Sequence, residues 1–114
     1  MAKVSACEAL GLDTAEMRRE IQRARARASS GDTAGAVAAL AAVEARAQAL
    51  GALHRQASET LRETAQLIEE ARAGGVDVRG FLEGFARARE AFTHADFREA
   101  LAIASRVRAD LEEL

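Results

Sequence analysis

TAGAVAALAAVEARAQALGALHRQASETLRETAQLIEEARA, residues 33–73, decides how this chain folds. It contains no proline, and Gly51 is its only glycine past the first turn. In steps of four and three it reads Ala36, Leu40, Val43, Ala47, Leu50, His54, Ala57, Leu61, Thr64, Ile68, Ala71, and only His54 and Thr64 are polar. Sustained 4-3 spacing draws one narrow stripe along one side of a helix, the pattern of a coiled-coil or bundle seam. At 1.5 Å per residue such a helix is about 60 Å long. The seam positions Leu40, Val43, Ala47, Leu50, His54, Leu61 and Ile68 are the expected surface for contact with another helix.

The whole chain is 114 residues, a length that suits one domain. Pro, Trp and Tyr are absent, and Ala, Arg, Glu and Leu dominate. These four are strong helix formers, and β-branched residues never alternate over a strand's length, so the fold class is all-α. A formal net charge of -2 argues against a nucleic-acid binder and against an acidic solvating tail. Cys7 is the only cysteine, which rules out an intrachain disulfide and a cysteine-based zinc site and suits a cytoplasmic setting. No signal-peptide run opens the chain. The apolar stretch Ala34–Val43 is mostly alanine and ends at Glu44 and Arg46, which predicts no membrane span.

In chain order, residues 1–10 predict a short helix with Val4, Cys7 and Leu10 on one side, closed by Gly11. Asp13 or Thr14 can cap the next helix, because a short side-chain oxygen satisfies a free first-turn N–H. That helix runs to about Ser29, with Met17, Ile21, Ala24 and Ala28 as its apolar face. Gly31 and Asp32 break the chain before the long helix, and Gly74-Gly75 ends it. Asp77 caps a fourth helix carrying Val78, Phe81, Phe85, Ala88 and Phe92. Asp96 caps a fifth, whose face of Phe97, Ala100, Ala104, Val107, Leu111 and Leu114 is widened by Leu101 and Ile103. A wide face implies two neighbours rather than one.

The sequence also repeats. Residues 11–50 align without a gap on 75–114, an offset of 64, with identities that include Gly11/Gly75, Asp13/Asp77, Asp32/Asp96, Ala36/Ala100, Val43/Val107 and Leu50/Leu114. The expected architecture is therefore a helical bundle of two duplicated hairpins joined through one long central helix, about 33–73. Gly31-Asp32 with Ala36-Val37, and Ala95-Asp96-Phe97 with Ala100-Leu101, resemble the start of the second helix in tetratricopeptide-like hairpins. Gly11-Leu12-Asp13-Thr14 and Gly75-Val76-Asp77-Val78 resemble turns of alanine-rich helical-hairpin repeats of prokaryotic proteins. The period differs from the tetratricopeptide's roughly 34 residues, and its Trp, Tyr and Pro positions are missing. The resemblance thus implies a helical interaction module and transfers no binding residue.

All four Phe lie in the C-terminal half, between residues 81 and 97. Burying a large side chain contributes about 1.5–3 kcal/mol and an alanine far less, so the alanine-diluted first hairpin is marginal alone. Packing against a second copy would repair this, and a homo-oligomer, with a dimer favoured, is expected. The alternative is a monomer in which the hairpins close into one four-helix bundle. A helical protein partner fits the same surfaces.

No residue pattern points to catalysis, a cofactor or a metal. His54 sits in the seam and reads as a tolerated polar position. Glu90 and His94 lie at i, i+4, but di-iron bundles need paired Glu-x-x-His motifs, and none occurs. Gly74-Gly75 lacks the Lys-Ser/Thr of a phosphate loop. Arg18, Arg19, Arg23, Arg25 and Arg27 form a basic run without a common face, and no aromatic residue interleaves for base stacking. That run is the candidate surface for the second reading, a small nucleic-acid-associated or anion-binding protein.

Overall fold

The computed structural model describes residues 2–114 and contains five α-helices: α1 (Ala2–Ala9), α2 (Ala15–Ser29), α3 (Thr33–Ala73), α4 (Arg79–Thr93) and α5 (Phe97–Glu112). No strand occurs among the described residues. The protein is an all-α helical bundle. α3 runs unbroken through Gly51, whose helical backbone leaves open space where a Cβ would stand.

Two compact units divide the chain, Met1–Ala52 and Leu53–Leu114, and the boundary falls inside α3. Each unit is built from three helical segments. The first has α1, α2 and the leading half of α3; the second has the trailing half of α3, α4 and α5. No part of α3 is a bare connector, because each half supplies a core helix to its own unit.

The two cores differ in bulk. Val4, Cys7, Met17, Ile21, Val43 and Ala47 form the first, with Leu12, Leu40 and Leu50 packed around it. Ile68, Val78, Val107 and Leu111 form the second, with Leu67, Phe81, Phe85 and Ile103 packed against them. Ala24, Ala36, Ala88, Ala100 and Ala104 are buried at 2 % exposure or less, where small side chains let helices approach closely.

Loop geometry recurs at the 64-residue offset. Gly11 and Gly75 take the left-handed conformation, at φ 79° and 86°, and close α1 and α3. The N–H of Leu12 donates to the Cys7 carbonyl at 3.1 Å, and that of Val76 to the Ala71 carbonyl at 3.0 Å. Such bonds satisfy carbonyls a helix end leaves free. Asp13 Oδ1 accepts from Ala15 N at 3.0 Å, and Asp77 Oδ1 from Arg79 N at 3.2 Å. Both aspartates stand one residue ahead of the N-cap position, which Thr14 and Val78 occupy as buried residues. Asp32 and Asp96 cap as expected, accepting from Gly35 N at 2.9 Å and Glu99 N at 3.3 Å. One position departs chemically: φ is 97° at Gly31, whereas Ala95, its counterpart, is a non-glycine residue at φ 61°.

Three apolar positions differ from expectation. Leu114 is 67 % exposed, because α5 ends at Glu112 and Leu114 lies past its last turn. Leu10 is 51 % exposed, because α1 ends at Ala9 and the turn carries Leu10 off the helix face. Ala28 is exposed although it continues the Met17–Ile21–Ala24 stripe, because no helix among the described residues covers the end of α2.

Candidate interaction surface

The 4-3 stripe of α3 faces the chain's own cores. Val43 and Ala47 are 1 % exposed, Ile68 is 4 %, and Leu40, Leu50, His54 and Leu61 are half-buried. In each unit the neighbouring helices cover the stripe, so a further partner would meet other sides of α3.

His54 belongs to an aromatic triangle. Its ring centroid lies 5.2 Å from both Phe92 and Phe97, which are 5.1 Å from each other. Edge-to-face geometry suits such rings, and the imidazole fills space as a flat apolar body. Thr64, fully buried, donates its hydroxyl to the carbonyls of Thr60 at 2.7 Å and Ala104 at 3.3 Å, tying α3 to α5. Both polar stripe residues therefore have structural partners.

The arginine run scatters as the helical wheel implies. Arg18 pairs with Glu8 of α1. Arg19, Arg23, Arg25 and Arg27 are exposed and form no ion pair among the described residues. Nearby, Arg46 of α3 donates to Glu20 at 2.6 Å, and Glu20 raises the Arg46 pKa further above its ordinary value. On α4, His94 and Glu90 lie 4.0 Å apart at an exposed site. Cys7 is buried and donates its thiol to the Ala47 carbonyl at 3.3 Å. No group of three or more His, Cys, Asp or Glu stands close enough to hold a metal among the described residues.

An open groove of about 860 Å³ runs between α4 and α5, with Phe81, Ile103 and Val107 at its floor and Arg87, Glu90, Arg106 and Asp110 on its walls. A Cβ added at Gly84 would meet Val107 Cγ2 at 2.8 Å, so the glycine permits the close approach of the two helices. Mixed charge on the walls gives this groove no preference for an anion or a cation.

The outward side of the leading half of α3 is different. Ala34, Val37, Ala38, Ala41, Ala42, Ala45, Ala49 and Ala52 are all exposed, interrupted only by Arg46 and Gln48. An 18-residue window of α3 reaches a mean hydropathy of 1.3 with 17 % of it buried, enough by length and composition to cross a membrane. The expectation of no such span stopped the apolar run at Val43. Alanine and leucine resume after Glu44 and Arg46, which lengthens the run. This surface lies off the 4-3 stripe, on the opposite face of the helix, and its signal in the sequence is the near-absence of charge there. Within the first unit, Glu44 Oε1 is buried and has no hydrogen-bond partner among the described residues.

No protein-family model, no curated protein and no solved structure matches this chain.

Proposed function

We propose that this chain is a non-enzymatic helical-bundle protein that acts through protein–protein contact in the cytoplasm, as a self-associating assembly, scaffold or adaptor module. One observation carries the reading: the alanine-rich outward side of α3 between residues 34 and 52, on which Arg46 is the one exposed charge. Alanine is the residue that best supports a helix in water, so exposure alone does not unfold this segment. Each alanine adds little hydrophobic area, at about 25 cal/mol per Å². A row of them lets a second helix come close, and many small dispersion contacts then add. Hardly any charge has to be stripped of water when such a face is covered.

Sedimentation velocity on the purified chain, from dilute solution to the millimolar range, tests the self-association. Mass should rise with concentration toward a dimer. A strict monomer throughout would remove self-association and leave only a different protein as partner.

The unpaired Arg19, Arg23, Arg25 and Arg27 favour one second reading, an anion or nucleic-acid surface on the first hairpin. Such a surface gives salt-dependent retention of DNA or RNA in a mobility assay. No retention at low salt would eliminate it.

A further inference from the structure

Charge separates the grooves of the second unit. The α4–α5 groove sets Glu90, Glu99 and Asp110 beside Arg87 and Arg106. In the groove between α3 and α5, Arg108 is already paired: it donates to Glu63 at 2.7 Å and stands 4.0 Å from Glu112. The groove between α3 and α4 differs from both. Its volume is about 460 Å³, and Leu61, Phe85 and Phe92, all half-buried, give it an apolar floor. Arg62 of α3 and Arg89 of α4 stand at its sides, and no carboxylate lines it.

Both arginines lack an ion pair among the described residues. Helical spacing gives the reason. The residues three and four away from Arg89 are Phe85, Ala86, Phe92 and Thr93, and none is acidic. Around Arg62 they are Ser58, Glu59, Ala65 and Gln66, and Glu59, the one acid, does not reach it. Arg62 also borders the α3–α5 groove, where Arg108 already holds Glu63. Thr93, the other polar residue of the α3–α4 groove, donates its hydroxyl to the Arg89 carbonyl at 2.9 Å. Two guanidinium groups are thus the donors left for a ligand.

We infer that the α3–α4 groove binds a small amphipathic carboxylate, its hydrocarbon body on Leu61, Phe85 and Phe92 and its head on Arg62 and Arg89. The volume falls in the range of small-molecule sites, which combine an apolar lining with a few placed polar groups. Charge selects the head. Two cations beside an apolar floor favour an anion, and a carboxylate accepts charge-assisted bonds from a guanidinium. Length selects a small molecule over a helix. α3 lines the groove only from Leu61 to Ala65, about 6 Å at 1.5 Å per residue. A docked helix anchors through residues i to i+7, roughly 10 Å. The site is separate from the alanine face of α3, so it stands whether or not the chain self-associates.

The probe is sodium decanoate, titrated below its micelle concentration into the isotope-labelled full chain and followed by amide NMR shifts. Decyltrimethylammonium, with a similar hydrocarbon body and the opposite charge, is the control. Decanoate should shift residues 58–65 and 85–93 and saturate, and the ammonium should bind about tenfold more weakly. Added salt should weaken decanoate. Arg62→Gln and Arg89→Gln change exposed side chains, so circular dichroism should stay helical while each weakens decanoate about tenfold. Equal binding of the two amphiphiles, affinity unmoved by both substitutions, or shifts centred elsewhere would overturn the inference. So would the absence of any shift. If decanoate fails and a short helical peptide of leucine and glutamate moves the same resonances, the groove belongs to a partner helix and the small-ligand assignment is wrong.

Discussion

The two halves of α3 are alike on the inside and unlike on the outside. Both turn a 4-3 apolar stripe to a core. Between residues 34 and 52 the exposed side is almost all alanine; between 55 and 72 it is Arg55, Gln56, Glu59, Arg62, Glu63, Gln66, Glu69, Glu70 and Arg72, relieved only by Ala65. Inward spacing determines that a helix packs. Outward composition determines whether a further helix can settle on it, because charges must be dehydrated and alanines need not be. One continuous helix therefore presents a charged outward surface at one end and an alanine-rich one at the other.

The cores extend the contrast and set the largest expected effects. Phe97, 5 % exposed, closes the aromatic triangle with His54 and Phe92. Phe97→Ala should cost about 3–5 kcal/mol in denaturant unfolding, with loss of amide protection centred on α4 and α5. Ile21, at 2 % exposure, is the more deeply buried of the two large α2 side chains in the first core, and Ile21→Ala should cost about 2–5 kcal/mol. Protection should then vanish from α1 and α2 first. Exchange losses spread evenly over both units by either substitution would break the division into two cores.

Smaller effects follow from the loops. Ala95 holds a left-handed conformation that Gly31 adopts at no steric cost. Ala95→Gly should stabilise the second unit by about 1 kcal/mol, and Gly31→Ala should destabilise the first by a similar amount. Equal and opposite shifts in thermal midpoint would sharpen the equivalence of the two loops; shifts of the same sign would break it. Asp32→Ala and Asp96→Ala should each lower stability by about 1 kcal/mol through loss of a cap. Least of all is the pH effect of Asp77. The Arg79 guanidinium, helped by the Arg79 backbone N–H, holds the Asp77 carboxyl below its ordinary value. A depressed folded-state pKa stabilises above the unfolded-state value and is lost as pH falls through the folded one. Asp77→Asn should therefore flatten the acid limb of the stability curve slightly, and an unchanged limb would show that the exposed pair contributes nothing.

Much of this fold is legible in the residues, since the stripe, the glycine stops and the aspartate caps are local patterns. Val43, Ala47 and Ile68 are inside because period and hydrophobicity agree there. Other features depend on residues far apart in the chain. His54 finds Phe92 and Phe97 some forty residues away, which no local spacing discloses. Ala28 continues an apolar stripe yet stays exposed, because coverage depends on a neighbouring helix. Glu44 sits among alanines as an ordinary charge until the packing buries one of its oxygens. The 64-residue offset relates Glu44 to Arg108, but only the ion pair with Glu63 gives that relation a chemical meaning.

The most direct test places two glutamates on each half of α3 in turn. Ala38→Glu with Ala45→Glu charges the leading half, and Ala65→Glu with Ala73→Glu adds the same charge to the trailing half; all four alanines are exposed. Sedimentation velocity then compares both with the unaltered chain. We predict that only the leading-half pair abolishes association while helicity is kept. Loss of association by both pairs alike, or by the trailing-half pair alone, would contradict the account.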